Sequence, residues 1–368
     1  MDFIDLKTQY RELKEQIDNG IHKVLDHGQY IMGPEISELE NNLSKFINVK
    51  HSISCSSGTD ALLMALMAMD IKPGDYVLTT PFTYIATAEV ISLLGAIPDF
   101  VDIDPKTFNI DLNKIEDKLK KNPSKYKIVM PVNIFGLLAD YEGLQELKNR
   151  YNFNIVEDAA QSFGASYNGQ MSCSLGDISC TSFFPAKPLG CYGDGGAIFT
   201  DNDKYAEILR SIRIHGKGND KYNNVRVGIN GRLDTIQAAI LIPKLAILSN
   251  EIKSRNDVAH MYNTNICDSF IKQYIPAGNL SAWAQYSILS KSTEQRELLM
   301  CKLKESNVPC AIYYITPLHR QETFSYLNFN EKDFPITEEI SSKILSLPMH
   351  PYLEKDQINK ICEIINEI

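Results

Sequence analysis

A lysine held between two prolines is the first residue in this sequence whose setting suggests chemistry. Lys187 follows a short apolar run and is flanked by Pro185 and Pro188, and a glycine-rich stretch occupies residues 190–196. Prolines fix the backbone and glycines let it turn tightly, so the segment is shaped to hold its lysine in one place. Most lysines are solvated surface charges, but a desolvated lysine amine has a lowered pKa and can form a Schiff base. The segment therefore predicts a catalytic lysine.

A second candidate segment is a cluster of small polar residues between a predicted strand and a predicted helix. Ser57, Gly58 and Thr59 stand at this junction. Free backbone N–H groups and the helix dipole make the start of a helix favourable for an anion, and Gly58 allows a close approach to the backbone. The alternative is an ordinary N-cap, where Ser and Thr are common.

A third candidate is a pair of carboxylates at the end of an apolar strand. Glu157 and Asp158 follow the apolar residues 155–156. One of the two should be desolvated unless a cation meets it, and a protonated ring nitrogen would serve as that cation. The alternatives are a solvated pair and a helix N-cap.

Together the three segments have the parts that pyridoxal 5'-phosphate requires. An anion cradle suits the phosphate, a buried carboxylate suits the pyridinium nitrogen, and a lysine amine suits the aldehyde. The carboxylate keeps the ring nitrogen protonated, which makes the ring an electron sink. Each segment is weak evidence alone, but their order along one chain predicts a cofactor site with Lys187 and Asp158 at its centre.

Alternating strands and helices must position these residues. Apolar strands are predicted over residues 52–55, 76–79, 97–101, 127–132, 154–157, 178–183 and 197–200, and helices over 59–69, 87–94, 112–119 and 141–151. Two amphipathic helices precede them. This order predicts an α/β fold with a largely parallel sheet covered on both faces, whose ligands gather at the carboxyl ends of the strands.

The C-terminal third is expected to form a smaller α/β domain. A helical pattern covers residues 233–266, with Pro243 as an expected kink or break. A strand is predicted over 284–289, and helices over 297–305 and 357–365. We place the boundary near residue 250, which gives a large cofactor-binding domain at 1–250 and a small domain at 251–368.

Composition excludes several classes of protein. The 368 residues carry 37 Lys plus Arg and 46 Asp plus Glu, so the net charge is −9, and nucleic-acid binding through phosphates is not expected. No apolar run reaches the roughly 18 residues of a membrane span, and the first residues lack a signal-peptide pattern. The eight cysteines form no CxxC pair, so no metal site or disulfide framework is indicated. These features favour a cytoplasmic protein.

At this level of detail the chain resembles the DegT/DnrJ/EryC1/StrS sugar aminotransferases, which have the fold type I architecture of aspartate aminotransferase. The specific matches are residues 57–62, 157–162 and 182–197, and the resemblance extends from residue 3 to residue 351. It implies that Lys187 carries pyridoxal phosphate and that Asp158 pairs with the ring nitrogen. It also implies that Tyr84 stacks on the ring, that Gln161 lies beside the ring hydroxyl, and that the phosphate is held by Gly58, Thr59 and Ser182, with Ser57 beside them.

The resemblance also implies a homodimer with shared active sites. Asn230 matches a residue that reaches the phosphate from the neighbouring subunit. The nucleotide-sugar would be contacted by Gly28, Tyr30, Arg232, Tyr313 and Tyr314. Other interpretations remain open: Tyr84 could be a core residue, and residues 230–231 could be only a turn. His215 and His319 receive no chemical role.

L-Glutamate is the implied amino donor, and a keto nucleotide-sugar is the implied acceptor. Residues 187–197 look most like those of members that aminate C3 of a UDP-linked 2-acetamido-3-oxo uronic acid, in O-antigen or other surface polysaccharide synthesis. Close relatives carry a serine at the position of Ala186 and a histidine at that of Tyr313, so the exact sugar stays open. Another UDP- or dTDP-linked keto sugar, a dehydratase and a regulatory protein are the alternatives. Dehydratases of this kind carry another residue in place of the lysine, so the presence of Lys187 argues against a dehydratase.

Overall fold

The first half of the chain alternates helices with short strands. The computed structural model describes residues 1–220 and 222–368. Its elements up to the Asp158 strand are α1 (Leu6–His27), α2 (Pro34–Ile47), β1 (His51–Cys55), α3 (Gly58–Ala68), β2 (Tyr76–Thr79), α4 (Ala86–Leu93), β3 (Ile97–Phe100), α5 (Leu112–Lys121), β4 (Tyr126–Val129), α6 (Tyr141–Tyr151) and β5 (Asn154–Asp158). Every strand and helix predicted in this part is present, with ends that differ by up to three residues.

The remaining elements include several that periodicity did not predict. They are β6 (Ser166–Tyr167), β7 (Gln170–Met171), β8 (Ile178–Ser182), β9 (Gly196–Thr200), α7 (Asp203–Ile212), α8 (Thr235–Asn265), β10 (Ile271–Lys272), β11 (Asn279–Leu280), β12 (Tyr286–Leu289), α9 (Thr293–Glu305), α10 (Pro335–Lys343), β13 (Ile344–Leu347) and α11 (Lys355–Asn366). Sequence reasoning missed α7, α10, β13 and the two-residue strands. Four short 3₁₀ turns complete the described structure.

A seven-stranded sheet forms the centre of the molecule. Its order is β1-β9-β8-β5-β4-β2-β3, and only β9 runs antiparallel to its neighbours. The predicted, largely parallel α/β sheet is therefore confirmed. Successive strand residues point to opposite faces, so Val77 packs with α3, α4 and α7 while Leu78 packs with α2, α5, α6 and α8. The carboxyl ends of β1, β2, β5 and β8 meet at one edge because these strands are parallel.

Helix α8 runs unbroken through Pro243. The predicted break at this proline is therefore wrong, and the alternative of a kink stays a prediction. The proline removes the hydrogen bond that its missing N–H would have made, and its ring crowds the carbonyl four residues earlier. By length and composition α8 could cross a membrane, but 56% of its most apolar window is buried inside the protein, as in an ordinary core helix. Residue 250 lies within α8, and the division into domains at this point stays a prediction.

The C-terminal residues build a second core on a three-stranded antiparallel sheet. Its order is β10-β12-β13, and α9 and α11 cover it. Asp102, just after β3, connects the seven-stranded sheet to α10. Its carboxylate accepts hydrogen bonds from the N–H groups of Ile336 and Thr337, both at 2.9 Å, and from the Thr337 hydroxyl at 2.7 Å. Free N–H groups at the start of α10 are satisfied in this way.

Candidate active site

Lys187 stands in a tight turn directly after β8. Its N–H donates to the carbonyl of Phe184 at 2.9 Å, and the N–H of Cys191 returns to the carbonyl of Phe183 at 2.8 Å. The lysine residue is half-buried, and burial lowers the pKa of its amine while the Asp158 carboxylate opposes that change. Within residues 1–220 and 222–368 the amine has no hydrogen-bond or ion-pair partner. A desolvated, unpaired amine at the edge of the sheet is suited to covalent chemistry.

Asp158 ends strand β5 and is buried. Its Oδ2 accepts a hydrogen bond from the Thr87 hydroxyl at 2.8 Å, and its Oδ1 accepts one from the N–H of Ala160 at 3.2 Å. Burial raises the pKa of this carboxyl, whereas the hydrogen bonds and the charge of Lys187 lower it. The prediction that one strand-end carboxylate would be desolvated is confirmed, and the solvated alternative is wrong. Two donors leave acceptor capacity on this carboxylate for a cation.

The anion cradle forms where β1 gives way to α3. Ser57 is the N-cap, and its side chain accepts from the N–H of Asp60 at 3.0 Å. Within the described chain the N–H groups of Gly58 and Thr59 have no acceptor, so they remain available. A Cβ on residue 58 would lie 2.6 Å from the Cβ of Ser182, so only glycine lets α3 approach the end of β8 this closely. The N-cap interpretation is thus confirmed, and the anion site stays a prediction with which the free N–H groups are compatible.

Ser182 completes this cradle from the neighbouring strand. Its oxygen accepts a hydrogen bond from the N–H of Phe184 at 3.2 Å, which leaves its own proton free to be donated. Strands β1 and β8 are parallel to each other across β9, so their carboxyl ends bring residues 57–59 and Ser182 together.

Gln161 and Tyr314 form a hydrogen-bonded pair near Asp158. The side-chain oxygen of Gln161 accepts from the N–H of Phe135 at 2.7 Å, and its amide donates to the Tyr314 hydroxyl at 3.0 Å. Burial raises the pKa of Tyr314, and Asp158 and Tyr84 are close enough to contribute to this shift. Tyr313 is half-buried beside it, with ring centroids 5.8 Å apart.

Tyr84 is exposed on the surface of the described chain. Its side chain keeps 58% of its accessible area, so the alternative that it is a core residue is wrong. Sequence reasoning missed the two hydroxyls that flank it. Thr83 and Thr87 lie 3.0 Å apart through their Oγ1 atoms, and Thr87 reaches Asp158. Thr87 lies in the first turn of α4, whereas Thr83 precedes the helix by three residues, so helical periodicity gave no signal for this pair.

The remaining predicted site residues lie in two segments, residues 28–30 and 230–232, and the carbonyl of Gly231 accepts from the N–H of Ser56, next to the cradle, at 3.1 Å. Gly28 ends α1 in the left-handed conformation, and the carbonyl of Tyr30 accepts from the N–H of Thr235 at 2.9 Å. Arg232 is half-buried, with a buried Nε that has no acceptor in the described residues. Asn230 is exposed and forms an isolated bridge with Ile214. No hydrogen bond or ion pair joins these two segments to Lys187 or Tyr314 within residues 1–220 and 222–368.

His319 and His215, which received no chemical role, each make hydrogen-bonded contacts within the protein. His319 is buried, and its Nε2 lies 2.7 Å from a carboxylate oxygen of Glu338 on α10. His215 sits in a positive-φ turn, and its carbonyl accepts from the amide of Asn224 at 2.7 Å.

These features fit pyridoxal phosphate. The site has free helix-start N–H groups, a buried carboxylate with spare acceptor capacity and an unpaired, desolvated amine, all at the carboxyl edge of a doubly covered sheet. Fold and site together define a pyridoxal phosphate-dependent transferase of fold type I.

Comparison with known proteins identifies the family. The sequence profile of the DegT/DnrJ/EryC1/StrS aminotransferase family matches residues 11–366. The chain is 46% identical to the UDP-2-acetamido-2-deoxy-3-oxo-D-glucuronate aminotransferase of Pseudomonas aeruginosa, over 98% of both chains. It is 38% identical to a pleiotropic regulatory protein of Geobacillus stearothermophilus, over 99% of this chain and 97% of the relative.

Solved structures agree with these sequence matches. A DegT/DnrJ/EryC1/StrS aminotransferase from Brucella abortus superposes with a TM-score of 0.96 at 44% identity, covering 100% of this chain and 99% of that one. DesV from S. venezuelae, solved in complex with a ketimine intermediate, gives a TM-score of 0.95 at 32% identity, covering 100% and 97%. The chain belongs to the DegT/DnrJ/EryC1/StrS aminotransferase family, and it is a pyridoxal phosphate-dependent aminotransferase.

Proposed function

We propose that this enzyme transfers the amino group of L-glutamate to the keto carbon of a nucleotide-linked sugar. The acceptor we favour is C3 of UDP-2-acetamido-2-deoxy-3-oxo-D-glucuronate. The observation that carries this proposal is the 46% identity, along nearly the whole of both chains, to the Pseudomonas aeruginosa enzyme that bears this substrate in its name. The product would enter O-antigen or another surface polysaccharide, and the enzyme would be soluble and cytoplasmic.

The residues of the chain divide the chemistry between them. Bound pyridoxal phosphate supplies the electron sink that makes a proton next to the amino group removable. The Asp158 carboxylate holds a proton at the ring nitrogen, and Thr87 keeps that carboxylate in place at 2.8 Å. The Lys187 amine would hold the cofactor between turnovers and would then take up and return the proton next to the amino group. Its lowered pKa suits this work, since an amine must be neutral to attack or to accept a proton.

Binding and orientation fall to the surrounding residues. The N–H groups of Gly58 and Thr59 and the hydroxyls of Ser57 and Ser182 hold the phosphate. Gln161 would lie beside the ring hydroxyl, and Tyr84 would cover the ring face. Both half-reactions use one site in turn, so we expect ping-pong kinetics.

We further propose that two subunits share each active site. Asn230 and Tyr30 are exposed in the single chain, and no hydrogen bond or ion pair connects them to Lys187 in the described residues. A second subunit would bring Asn230 to the phosphate and would bring the group of Gly28, Tyr30 and Arg232 to the sugar nucleotide. The Arg232 guanidinium suits a carboxylate or a pyrophosphate because its planar fork pairs with either.

Another keto nucleotide-sugar is the second candidate. Relatives at 35% identity include a UDP-N-acetyl-3-dehydro-glucosamine 3-aminotransferase and a dTDP-3-amino-3,6-dideoxy-galactopyranose transaminase. The reason to keep this candidate is Tyr313, which lies beside Tyr314 at the edge of the site and stands where close relatives carry a histidine.

A panel experiment tests the acceptor. The loaded enzyme is incubated with L-glutamate and, separately, the UDP-linked 3-oxo uronic acid, its C6-reduced analogue and a dTDP-linked 3-keto-6-deoxy sugar, and amine incorporation is followed by mass. We expect the uronic acid to be aminated fastest. Faster amination of either other sugar would replace the favoured acceptor, and a visible cofactor band unaffected by glutamate would refute aminotransfer from this donor. Lys187→Ala serves as the inactive control.

Subunit complementation tests the shared site. Lys187→Ala and Asn230→Ala subunits are each prepared, unfolded together and refolded. If the sites are shared, one of the two sites in the hybrid dimer contains both native residues, and activity returns. If each subunit completes its own site, every site in the mixture keeps one defect and no activity returns.

A further inference from the structure

A buried lysine outside the site touches the turn that carries Lys187. Lys244 lies in the middle of α8, one residue after Pro243, and only 1% of its surface is accessible. A buried ammonium is costly unless something compensates it. No carboxylate lies within ion-pair distance of this amine among residues 1–220 and 222–368. Its one hydrogen bond is donated to the carbonyl of Gly190, three residues after Lys187.

The environment of Lys244 supports a charged amine in this position. The nitrogen lies 4.7 Å from the centroid of the Tyr192 ring, within the range of a cation–π interaction. Burial lowers the pKa of Lys244 to about 8, partly offset by Glu251 about two helical turns away, so the amine is still mostly protonated at pH 7. Glu251 itself is occupied by Gln9 at 2.8 Å.

Backbone contacts connect Gly190 to Lys187. A side chain at residue 190 would collide with the carbonyl of Pro185, so the turn is closed tightly on itself at this point. The carbonyl of Phe184, the residue before Pro185, accepts from the N–H of Lys187 at 2.9 Å. If Gly190 moves, residues 184–185 must move with it, and the backbone of Lys187 is hydrogen-bonded to them.

Helix α8 makes a second hydrogen-bonded contact with the same turn. The side chain of Gln237 accepts from the N–H of Tyr192 at 2.9 Å and donates to the carbonyl of Tyr192 at 3.4 Å. Gln237 and Lys244 are seven residues apart and hence on the same face of α8. The two side chains hold both ends of the short segment between Gly190 and Tyr192.

We propose that Lys244 is a positioning residue for transamination: by holding the Gly190 carbonyl it fixes the turn from which the Lys187 amine reaches the cofactor. This inference rests on Lys187 carrying the cofactor and on L-glutamate being the donor, and it is independent of the sugar acceptor. Lys244 contacts neither the reacting atoms nor Asp158, so its effect must pass through the backbone of residues 184–190.

The test compares two variants of the same helix. Lys244→Met keeps an unbranched chain up to the ε position and removes the donor and the charge, and Lys253→Met makes the same change at an exposed position of α8. The loaded enzymes are mixed with L-glutamate, and the single-turnover rate at saturation, the half-saturating glutamate concentration and the pH midpoint of the visible cofactor band are measured. We expect Lys244→Met to slow the saturated rate by at least about tenfold, because a small misplacement of a reacting group is costly, and to shift the pH midpoint. Lys253→Met should match wild type in all three.

Each outcome decides the proposal. A Lys244→Met enzyme with wild-type rate and pH midpoint overturns it, and so does a loss that equals the fraction of protein without cofactor. If Lys244→Met does not fold, Lys244→Gln replaces it: its amide nitrogen is one bond shorter, so it cannot reach the carbonyl, yet it leaves a polar site. Unchanged rate and midpoint in that variant overturn the proposal equally. Failure of wild type to respond to glutamate would instead refute the donor assignment.

Discussion

The hydroxyl of Thr87 offers a sharp test of how the site holds its cofactor. It donates one of the two hydrogen bonds that Asp158 receives from the described chain, at 2.8 Å, while the other, from the N–H of Ala160, is longer at 3.2 Å. Thr87→Val removes this donor and keeps the shape of the side chain. A hydrogen bond to a charged group contributes about 1.5–3 kcal/mol, and the loss of this bond should raise the pKa of Asp158 further.

The consequence should be visible in cofactor affinity. A less readily ionised Asp158 binds the protonated ring nitrogen less well, and the same energy corresponds to about a ten- to hundredfold higher dissociation constant. The assay is a spectroscopic titration of the cofactor-free protein with pyridoxal phosphate at pH 7. A melting curve of each cofactor-free variant verifies that the protein is folded.

Thr83→Val is the matched control for this prediction. It removes the neighbouring hydroxyl, 3.0 Å from that of Thr87, and leaves the bond to Asp158 in place. We expect its dissociation constant to stay within about threefold of wild type, since it acts only through a neutral neighbour. Equal affinity in wild type and Thr87→Val, or equal losses in both threonine variants, would show that the reasoning about Asp158 is wrong.

Two further variants test the carboxylate and the cradle. Because burial raises the pKa of Asp158, its ionised form costs folding free energy at neutral pH; Asp158→Asn should therefore melt at the same or a higher temperature than wild type without cofactor at pH 7, while activity is lost. The sign follows from the raised pKa: the wild-type penalty is present above that pKa and disappears as the pH falls below it, so calorimetry at several pH values should show the gap closing in acid. Gly58→Ala should weaken cofactor binding, because its Cβ would lie 2.6 Å from that of Ser182; calorimetric titration with the cofactor measures the loss, and unchanged affinity would contradict the close-approach argument.

Secondary structure was predictable where hydrophobic patterns were long enough to read. Strand β2 and helix α6 begin and end at the predicted residues because their apolar residues are bounded by clear turn signals. Helix α9 begins four residues early because Ser292 caps it, accepting from the N–H of Gln295 at 3.3 Å. Strands of two residues, such as β10, carry no periodicity at all and could not be found.

The site was predictable in its parts and less so in its connections. Residue types and their order marked Lys187, Asp158 and the Ser57–Thr59 cradle, since each follows a strand whose carboxyl end lies at one edge of the sheet. The support behind them was not visible in the pattern. Lys244 looked like one more helix lysine, and only the packing of α8 against residues 187–192 places its amine on a backbone carbonyl.

The adjacent carboxylates of β5 show why the chain can bury two acids side by side. Alternation along a strand sends Glu157 and Asp158 to opposite faces. Glu157 is satisfied inside the protein by five donors, from Asn133, Ser172, Cys173, Leu175 and Ser179, at 2.7–3.1 Å. Asp158 receives only two from residues 1–220 and 222–368. A buried carboxylate with unused acceptor capacity is either protonated or completed by a cation. We therefore expect Asp158, and not Glu157, to be the partner of a protonated ring.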